Sequence, residues 1–262
     1  MKEFKLMKIL TLGDVVSPLA VKYLQDKLWA YRGKVDADFV IVNGENASDG
    51  NGLSTEDALA LLDAGADVLT GGNHTLRRKN LRITLDTDER ILRPANLPAH
   101  LPGSGYGIYN AGGIKVLVMN VMGQVYLTGA DAPFSCADRI LKREAGGYDV
   151  AICDIHAEAT SEKIAFARYL DGRVSGVFGT HTHVQTADEQ VLSGGTGYIT
   201  DLGFTGVQDS VLGVKSEIIV DRFVNHSSGR FESAVGEVTA HGALFTVDEN
   251  TGKCVSVERI KF

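Results

Sequence analysis

The stretch FVIVNGEN at residues 39–46 decides the fold class, because it joins a short apolar run directly to a group of polar side chains. The run 39–42 is rich in β-branched residues and apolar on both faces, as expected for a strand covered on both sides. Asn43, Glu45 and Asn46 follow at once. Since open α/β sheets bind ligands at the carboxyl ends of their strands, this pattern predicts a binding site just beyond residue 42.

Four further apolar runs end in the same way. Their polar groups are Gly13-Asp14 after residues 9–12, Gly72-Asn73-His74 after 68–69, Asp154-Ile155-His156 after 150–153, and Thr180-His181-Thr182-His183 after 174–178. If these runs are strands of one sheet, side chains from five separate segments meet at its carboxyl edge. The sequence therefore predicts one site built from distant parts of the chain.

Helical patterns lie between the apolar runs. They cover residues 19–31, 55–64 behind a Ser54 cap, 135–145 and 161–170. Strands that alternate with such helices indicate βαβ units and a largely parallel sheet. After Ala187 the pattern changes to short runs separated by Gly, Ser and Asn turns, including 218–220, 243–247 and 255–260. This predicts a β-rich C-terminal third.

The predicted fold is therefore a layered α/β sandwich. It has a largely parallel first sheet with flanking helices and a second, β-rich C-terminal sheet. Residues 1–262 are expected to form a single domain, with part of the C-terminal third as a candidate for a small cap.

Composition limits the partners of this chain. Its 262 residues carry a formal net charge of −7, which argues against binding to long nucleic acid, whereas a small anionic substrate stays open because bound cations reverse the local field. The 3 cysteines form no CxxC motif, so neither a disulfide framework nor a thiolate zinc site is expected. No run is long enough for a signal peptide or a membrane span, and we expect a cytoplasmic protein without membrane contact. A homo-oligomer remains open.

The polar groups supply a set of candidate metal ligands: Asp14, Glu45, Asn46, Asn73, His156, His181 and His183. Taken singly, some have a plain alternative, since Asp14 suits a turn or helix cap and His181 and His183 suit an exposed loop, whereas Glu45 is harder to explain in that way. Together they exceed what one ion needs and favour two. Imidazole mixed with oxygen suits Mn, Fe, Zn or Co better than calcium.

The same residues carry a resemblance. The Gly-Asp, Gly-Asn-His and Gly-Thr-His-Thr-His blocks resemble those of calcineurin-like metallophosphoesterases, which implies that the layered α/β sandwich is of the metallophosphoesterase type. More narrowly, NGENA at 43–47, HAEATSEK at 156–163 and GTHTHVQTAD at 179–188 are similar to the YmdB family, bacterial phosphodiesterases active on cyclic nucleotides. The similarity runs from about residue 8 to the C-terminus.

The resemblance implies a two-metal phosphodiesterase for small cyclic nucleotides of the 2′,3′ type, with two divalent ions, Fe or Mn ahead of Zn or Co. By analogy, one metal site comprises Asp14, Glu45, Asn46 and His183, and the other Glu45, Asn73, His156 and His181. Glu45 would bridge the two ions. His74 would be the general acid that protonates the leaving oxygen; the alternative is that it only positions the ligands.

Two departures from the family pattern bear on the substrate pocket. The chain has Ser17-Pro18-Leu19-Ala20 where the family has a Gly-Arg pair, and Leu76-Arg77 where the family has Trp-Asp. These departures leave the candidate ligands unchanged. They alter the pocket wall beside His74, so the substrate preference of the family does not carry over directly. No substrate-binding residue is assigned from sequence. A phosphomonoesterase of the same fold, or a nucleotide- or metal-binding regulator without turnover, remains an alternative.

Overall fold

The computed structural model describes residues 5–262 and has a mixed α/β fold. The strands are β1 (Leu6–Leu12), β2 (Asp14–Val15), β3 (Phe39–Asn43), β4 (Val68–Thr70), β5 (Tyr106–Ala111), β6 (Ile114–Met122), β7 (Val150–His156), β8 (Gly176–Thr180), β9 (Gln190–Val191), β10 (Gly197–Ile199), β11 (Phe204–Val207), β12 (Val238–Thr239), β13 (His241–Asp248) and β14 (Cys254–Lys261). The helices are α1 (Pro18–Val35), α2 (Thr55–Asp63), α3 (Leu81–Thr87), α4 (Pro133–Arg143), α5 (Thr160–Leu170) and α6 (Ser216–Asn225).

Two large sheets form the centre of the molecule. The first has the order β14-β13-β1-β3-β4, and the second has the order β5-β6-β7-β8-β10-β9. Strands β1, β3 and β4 run parallel in the first sheet, as do β6, β7, β8 and β10 in the second. A small third sheet joins β12, β11 and β2.

Alternation of side chains along the strands produces the layers. Ile9 and Ile41 belong to the core between the two sheets, together with Val118 and Ile152 of the second sheet. The neighbouring residue Leu10 belongs instead to the core shared with α1 and α2. Because α4 and α5 pack against the second sheet in the same way, the architecture is a sandwich of two sheets with helices outside.

The predicted α/β class is confirmed, but the strands are divided between the sheets differently from the prediction. The strands that precede the polar groups do not share one sheet, since β1, β3 and β4 lie in the first and β7 and β8 in the second. Nor do the C-terminal strands form a sheet of their own, because β13 and β14 extend the first sheet beside β1. A strand buried on both faces has the same apolar sequence whether a helix or another sheet covers it.

The helical predictions at 19–31, 55–64, 135–145 and 161–170 correspond to α1, α2, α4 and α5. The Ser54 cap is also confirmed, since its side chain accepts a hydrogen bond from the Asp57 backbone N–H. The strand predicted at 218–220 is wrong, because these residues lie within α6. Among residues 5–262, no helix combines the length and apolar character needed to cross a bilayer.

Candidate metal centre

All seven candidate ligands lie together where strands of both large sheets end. Asp14 follows β1, Glu45 and Asn46 follow β3, Asn73 follows β4, His156 is the last residue of β7, and His181 and His183 follow β8. Glu45, Asn46 and Asn73 therefore follow strands of the first sheet, Asp14 opens β2 of the small third sheet just after β1, and the three histidines come from the second sheet. The site lies at the junction between the two sheets rather than at the edge of one.

One group of donor atoms surrounds the buried ring of His156. Its Nε2 lies 3.0 Å from Asn73 Oδ1, 3.1 Å from His181 Nδ1 and 3.6 Å from Glu45 Oε1. Ligands bound to one transition metal at about 2.1 Å lie roughly 3.0–3.4 Å from one another in octahedral or tetrahedral geometry. These spacings are therefore close to those required around a single ion.

A second group surrounds the carboxylate of Asp14. Asp14 Oδ1 lies 3.5 Å from His183 Nε2 and 3.4 Å from Asn46 Nδ2, and the last two atoms are 3.4 Å apart. The other oxygen, Oδ2, accepts a hydrogen bond of 3.0 Å from the His181 backbone N–H. Asp14 therefore fixes the turn that carries His181 and His183.

Burial and charge set the protonation of these groups. Burial raises the pKa of Glu45 well above its usual range, and the Asp14 carboxylate adds to the effect. Burial also tends to raise the pKa of Asp14, but the adjacent His183 imidazole outweighs it and the net pKa is lowered. Burial lowers the pKa of His156 well below its usual value. A neutral imidazole beside acidic oxygens is the form in which histidine binds metals.

A hydrogen-bonded chain orients His156. Its Nδ1 lies 2.9 Å from Thr180 Oγ1, which in turn donates to Asp154 Oδ1 at 2.8 Å. The second carboxylate oxygen of Asp154 accepts from Asn43 Nδ2 at 2.9 Å and from the Thr70 hydroxyl. Because Nδ1 carries the proton and donates it in a hydrogen bond to Thr180, the lone pair of Nε2 points toward the other candidate metal ligands, such as Asn73. His181 is oriented similarly, because its Nε2 lies 3.1 Å from Glu158 Oε2.

A buried ion pair stabilises the turn at residues 181–183. Lys163 Nζ donates to Asp201 Oδ2 at 2.8 Å, and both side chains are fully buried. The same oxygen accepts from Thr182 Oγ1 at 2.7 Å. Since Thr182 separates two residues with positive φ, 94° at His181 and 61° at His183, this pair stabilises a strained conformation.

Sequence reasoning assigned no role to Asp154, Thr180 or Lys163. For two of them, Asp154 and Lys163, the sequence contains a pattern that indicates a role. Asp154 lies two residues before His156, on the same face of an otherwise apolar strand. Lys163 occupies a helical position in line with the buried residues Phe166 and Leu170 of α5, where a lysine needs a buried partner.

The donor set fits divalent metals only if amide oxygens take part. No three His, Cys, Asp or Glu side chains in the described chain form a group that could hold a metal ion by themselves. Asn73 supplies an oxygen within 3.0 Å of His156 Nε2. Asn46 faces Asp14 and His183 with its Nδ2 and His74 with its Oδ1, so a flip of this amide would bring its oxygen to the same place. Two carboxylates, two amides and three imidazoles form a mixed oxygen and nitrogen set suited to Mn, Fe, Zn or Co.

His74 lies beside these donors. Its Nδ1 is 3.1 Å from Asn46 Oδ1 and 3.5 Å from Glu45 Oε1. Its half-buried ring lines a cavity of about 210 Å³ together with Asn46, His181 and His183. Burial and the nearby Arg77 lower the pKa of His74. The cavity gives a small substrate direct access to the donor groups.

A sandwich of two sheets with helices outside, and a polar centre of carboxylates, amides and histidines at the strand ends, defines a hydrolase of the metallophosphoesterase class. The YmdB-like protein family model matches residues 10–260, so the chain belongs to the YmdB-like family.

Comparison with individual proteins supports this assignment. A 2′,3′-cyclic-nucleotide 2′-phosphodiesterase of Bacillus subtilis (strain 168) is 41% identical over 97% of this chain and 96% of its own length. A crystal structure described as a novel phosphatase from Mycoplasma pneumoniae has a TM-score of 0.92 at 33% identity, covering 99% of this chain and 94% of that one. The crystal structure of a hypothetical protein from Thermus thermophilus has a TM-score of 0.92 at 37% identity, covering 98% of this chain and 99% of that one.

Proposed function

We propose that this chain is a metal-dependent phosphodiesterase that opens small 2′,3′-cyclic nucleotides to nucleoside monophosphates. The observation that carries the proposal is the meeting of seven donor side chains around Glu45 and His156. The B. subtilis relative, named for cleavage of the 2′ bond of such nucleotides, supports this substrate class. We therefore expect a 3′-nucleotide as the product.

Two divalent ions, Fe or Mn ahead of Zn or Co, would be held as the family resemblance implies. The first would lie with Asp14, Glu45, Asn46 and His183, and the second with Glu45, Asn73, His156 and His181. Such a pair of ions polarises the phosphoryl oxygens and makes a water molecule acidic enough to provide hydroxide near neutral pH.

His74 would supply the proton to the leaving ribose oxygen. The contact of its Nδ1 with Asn46 Oδ1 leaves Nε2 as the ring nitrogen available to a substrate. In the free protein its pKa is lowered by burial. The negative charge of a bound phosphodiester would favour the imidazolium and so prepare the group for proton donation.

Turnover assays test this proposal directly. Purified protein is incubated with Mn²⁺ and either 2′,3′-cAMP or bis-p-nitrophenyl phosphate, with and without a chelator. His181→Ala should lower the rate at least about 10-fold, because loss of a ligand should cost no less than loss of its outer partner. His100→Ala is the matched control, since His100 is exposed and outside the site. Absence of turnover with Mn, Fe, Zn and Co alike would reject the proposal.

The products separate the alternatives. A phosphodiesterase opens 2′,3′-cAMP to adenosine monophosphate and leaves 3′-AMP intact, whereas a phosphomonoesterase hydrolyses 3′-AMP to adenosine and phosphate faster than it opens the cyclic diester. A regulator would bind the nucleotide without forming product.

A further inference from the structure

Strained backbone is concentrated around the cavity beside the metal centre. Among residues 5–262, eight non-glycine residues have positive φ, and five of them line this cavity: Ser17, Asn51, His181, His183 and Leu212. Such conformations cost free energy and occur preferentially at functional sites. The two histidines are accounted for by the metal centre, but Ser17, Asn51 and Leu212 are not among its donors. The functional site therefore extends beyond the donors.

Leu212 is the least expected of these residues. It has a φ of 54° and Gly213 a φ of 91°, within a tight turn closed by mutual backbone hydrogen bonds between Val211 and Val214. Positions of this kind normally carry Asn-Gly, because a bulky side chain is disfavoured there. Leu212 is also 43% exposed, so burial does not explain its presence. The turn instead places an apolar side chain in the cavity wall.

Phe231 lies in the same wall and is 45% exposed. The guanidinium carbon of Arg222 lies 4.6 Å from the centroid of its ring. Arg222 lies over one face of the ring and is not among the residues that line the cavity, whereas Phe231 is. A half-exposed aromatic ring that has a cation on one face and lies in a cavity wall is suited to stacking on a base.

We propose that Leu212 and Phe231 hold the nucleobase of the substrate, with Phe231 stacking on the base. This assignment rests on the proposed function, which places the phosphate in the same cavity, beside His74, His181 and His183. A volume of about 210 Å³ is smaller than the roughly 300–1,000 Å³ of pockets that enclose a whole ligand. Part of a bound nucleotide would therefore extend beyond the enclosed volume, where half-exposed side chains of the wall such as Leu212 and Phe231 can contact it.

This recognition tolerates different bases. Stacking uses the flat face that every base has, whereas selection requires polar groups aimed at its edge. Glu232 is the carboxylate among the residues that line this cavity, and it is paired with Lys215 at 2.6 Å. We therefore expect adenine and guanine nucleotides to be accepted alike, ahead of the smaller pyrimidines.

Substrates with and without a base test the assignment. Affinities of the Mn²⁺-loaded protein are measured by calorimetry for 3′-AMP and for the 3-phosphate of methyl ribofuranoside, and KM values for the two corresponding 2′,3′-cyclic phosphates. Phe231→Ala should weaken 3′-AMP binding about tenfold or more, as for other stacked bases, and leave the base-free phosphate within about twofold. Phe223→Ala is the matched control, because Phe223 is 78% exposed on α6 and outside the cavity wall.

Leu212→Gly separates function from folding. Glycine is comfortable at positive φ, so the melting temperature should not fall, while the affinity for 3′-AMP should. His226→Gly is its control, with φ of 54° outside the cavity. Equal binding of both phosphates by the wild type, or equal weakening of both in the variants, would overturn the assignment. If the wild type hydrolyses neither cyclic phosphate, the proposed function fails, and the dissociation constants alone decide the base site.

Discussion

Replacing Thr180 by valine should weaken metal binding while leaving the fold intact. The hydroxyl of Thr180 lies 2.9 Å from His156 Nδ1 and donates to Asp154 at 2.8 Å. Valine has nearly the same shape, so the change removes these two contacts, and with them a longer bond of 3.3 Å accepted from Asn43 Nδ2, without creating a cavity. His156 then loses the partner that fixes its ring and keeps the Nε2 lone pair directed at the donor group.

The size of the effect follows from the two lost contacts. Loss of the outer partner of a metal-binding histidine typically costs about 10–100-fold in affinity, or roughly 1.4–2.7 kcal/mol. Asp154 keeps its hydrogen bonds to Asn43 and Thr70, although burial already raises its pKa to about 7. Leaving buried polar groups short of a partner costs about 1–3 kcal/mol. In a chain of this size that lowers the melting temperature by about 2–4 °C per kcal/mol.

Titration of metal-free protein with Mn²⁺, followed by electron paramagnetic resonance, measures the affinity directly. Thr205→Val is the matched control, because Thr205 is fully buried and its hydroxyl has no hydrogen-bond partner in the described chain. Its replacement should leave the Mn²⁺ affinity unchanged and should not lower the melting temperature. If Thr180→Val binds Mn²⁺ within twofold of the wild type, orientation of His156 by Thr180 contributes nothing and the reasoning is refuted.

Three further predictions concern metal, packing and the buried ion pair. Mn²⁺ at about 100 times its dissociation constant should stabilise the protein by about 2.7 kcal/mol for each ion bound, which differential scanning calorimetry should record as a rise of about 5–10 °C per ion. Gly72→Ala should abolish Mn²⁺ binding, because its Cβ would lie 2.1 Å from the His156 ring, whereas Gly33→Ala meets no atom within 4 Å and should gain about 0.5–1 kcal/mol in urea unfolding. Lys163→Met should cost about 3–5 kcal/mol in the metal-free protein by leaving Asp201 buried and unpaired, and an unchanged urea midpoint would contradict this.

The candidate donors could be found in the sequence because each lies at the end of an apolar strand or a few residues beyond it. An apolar run that ends in Asn43-Gly44-Glu45-Asn46 is a local pattern, and the carboxyl end of a strand is a local property. The same holds for His156 at the end of β7. Their meeting at one place then needs only that these strands end on the same side of the molecule, whichever of the two sheets each belongs to.

The division of the strands between two sheets could not be found in this way. The residues of β3 are buried along its whole length, and so are those of β7. Nothing in either run says that one face of each strand packs on the other sheet. The strained wall of the cavity was missed for a related reason, because the φ of Leu212 depends on the turn between Val211 and Val214 rather than on the residue itself.

The position of the site between the sheets connects metal binding to the stability of the whole fold. Asn43 of the first sheet donates to Asp154 of the second at 2.9 Å, and Asp14 accepts from the His181 backbone at 3.0 Å. These bonds already join the two sheets, and an ion shared by Glu45 and His156 would add a further connection. Separating the sheets would then require breaking metal bonds as well as exposing the core between them. Metal should therefore raise the free energy of global unfolding, rather than order a loop that opens independently.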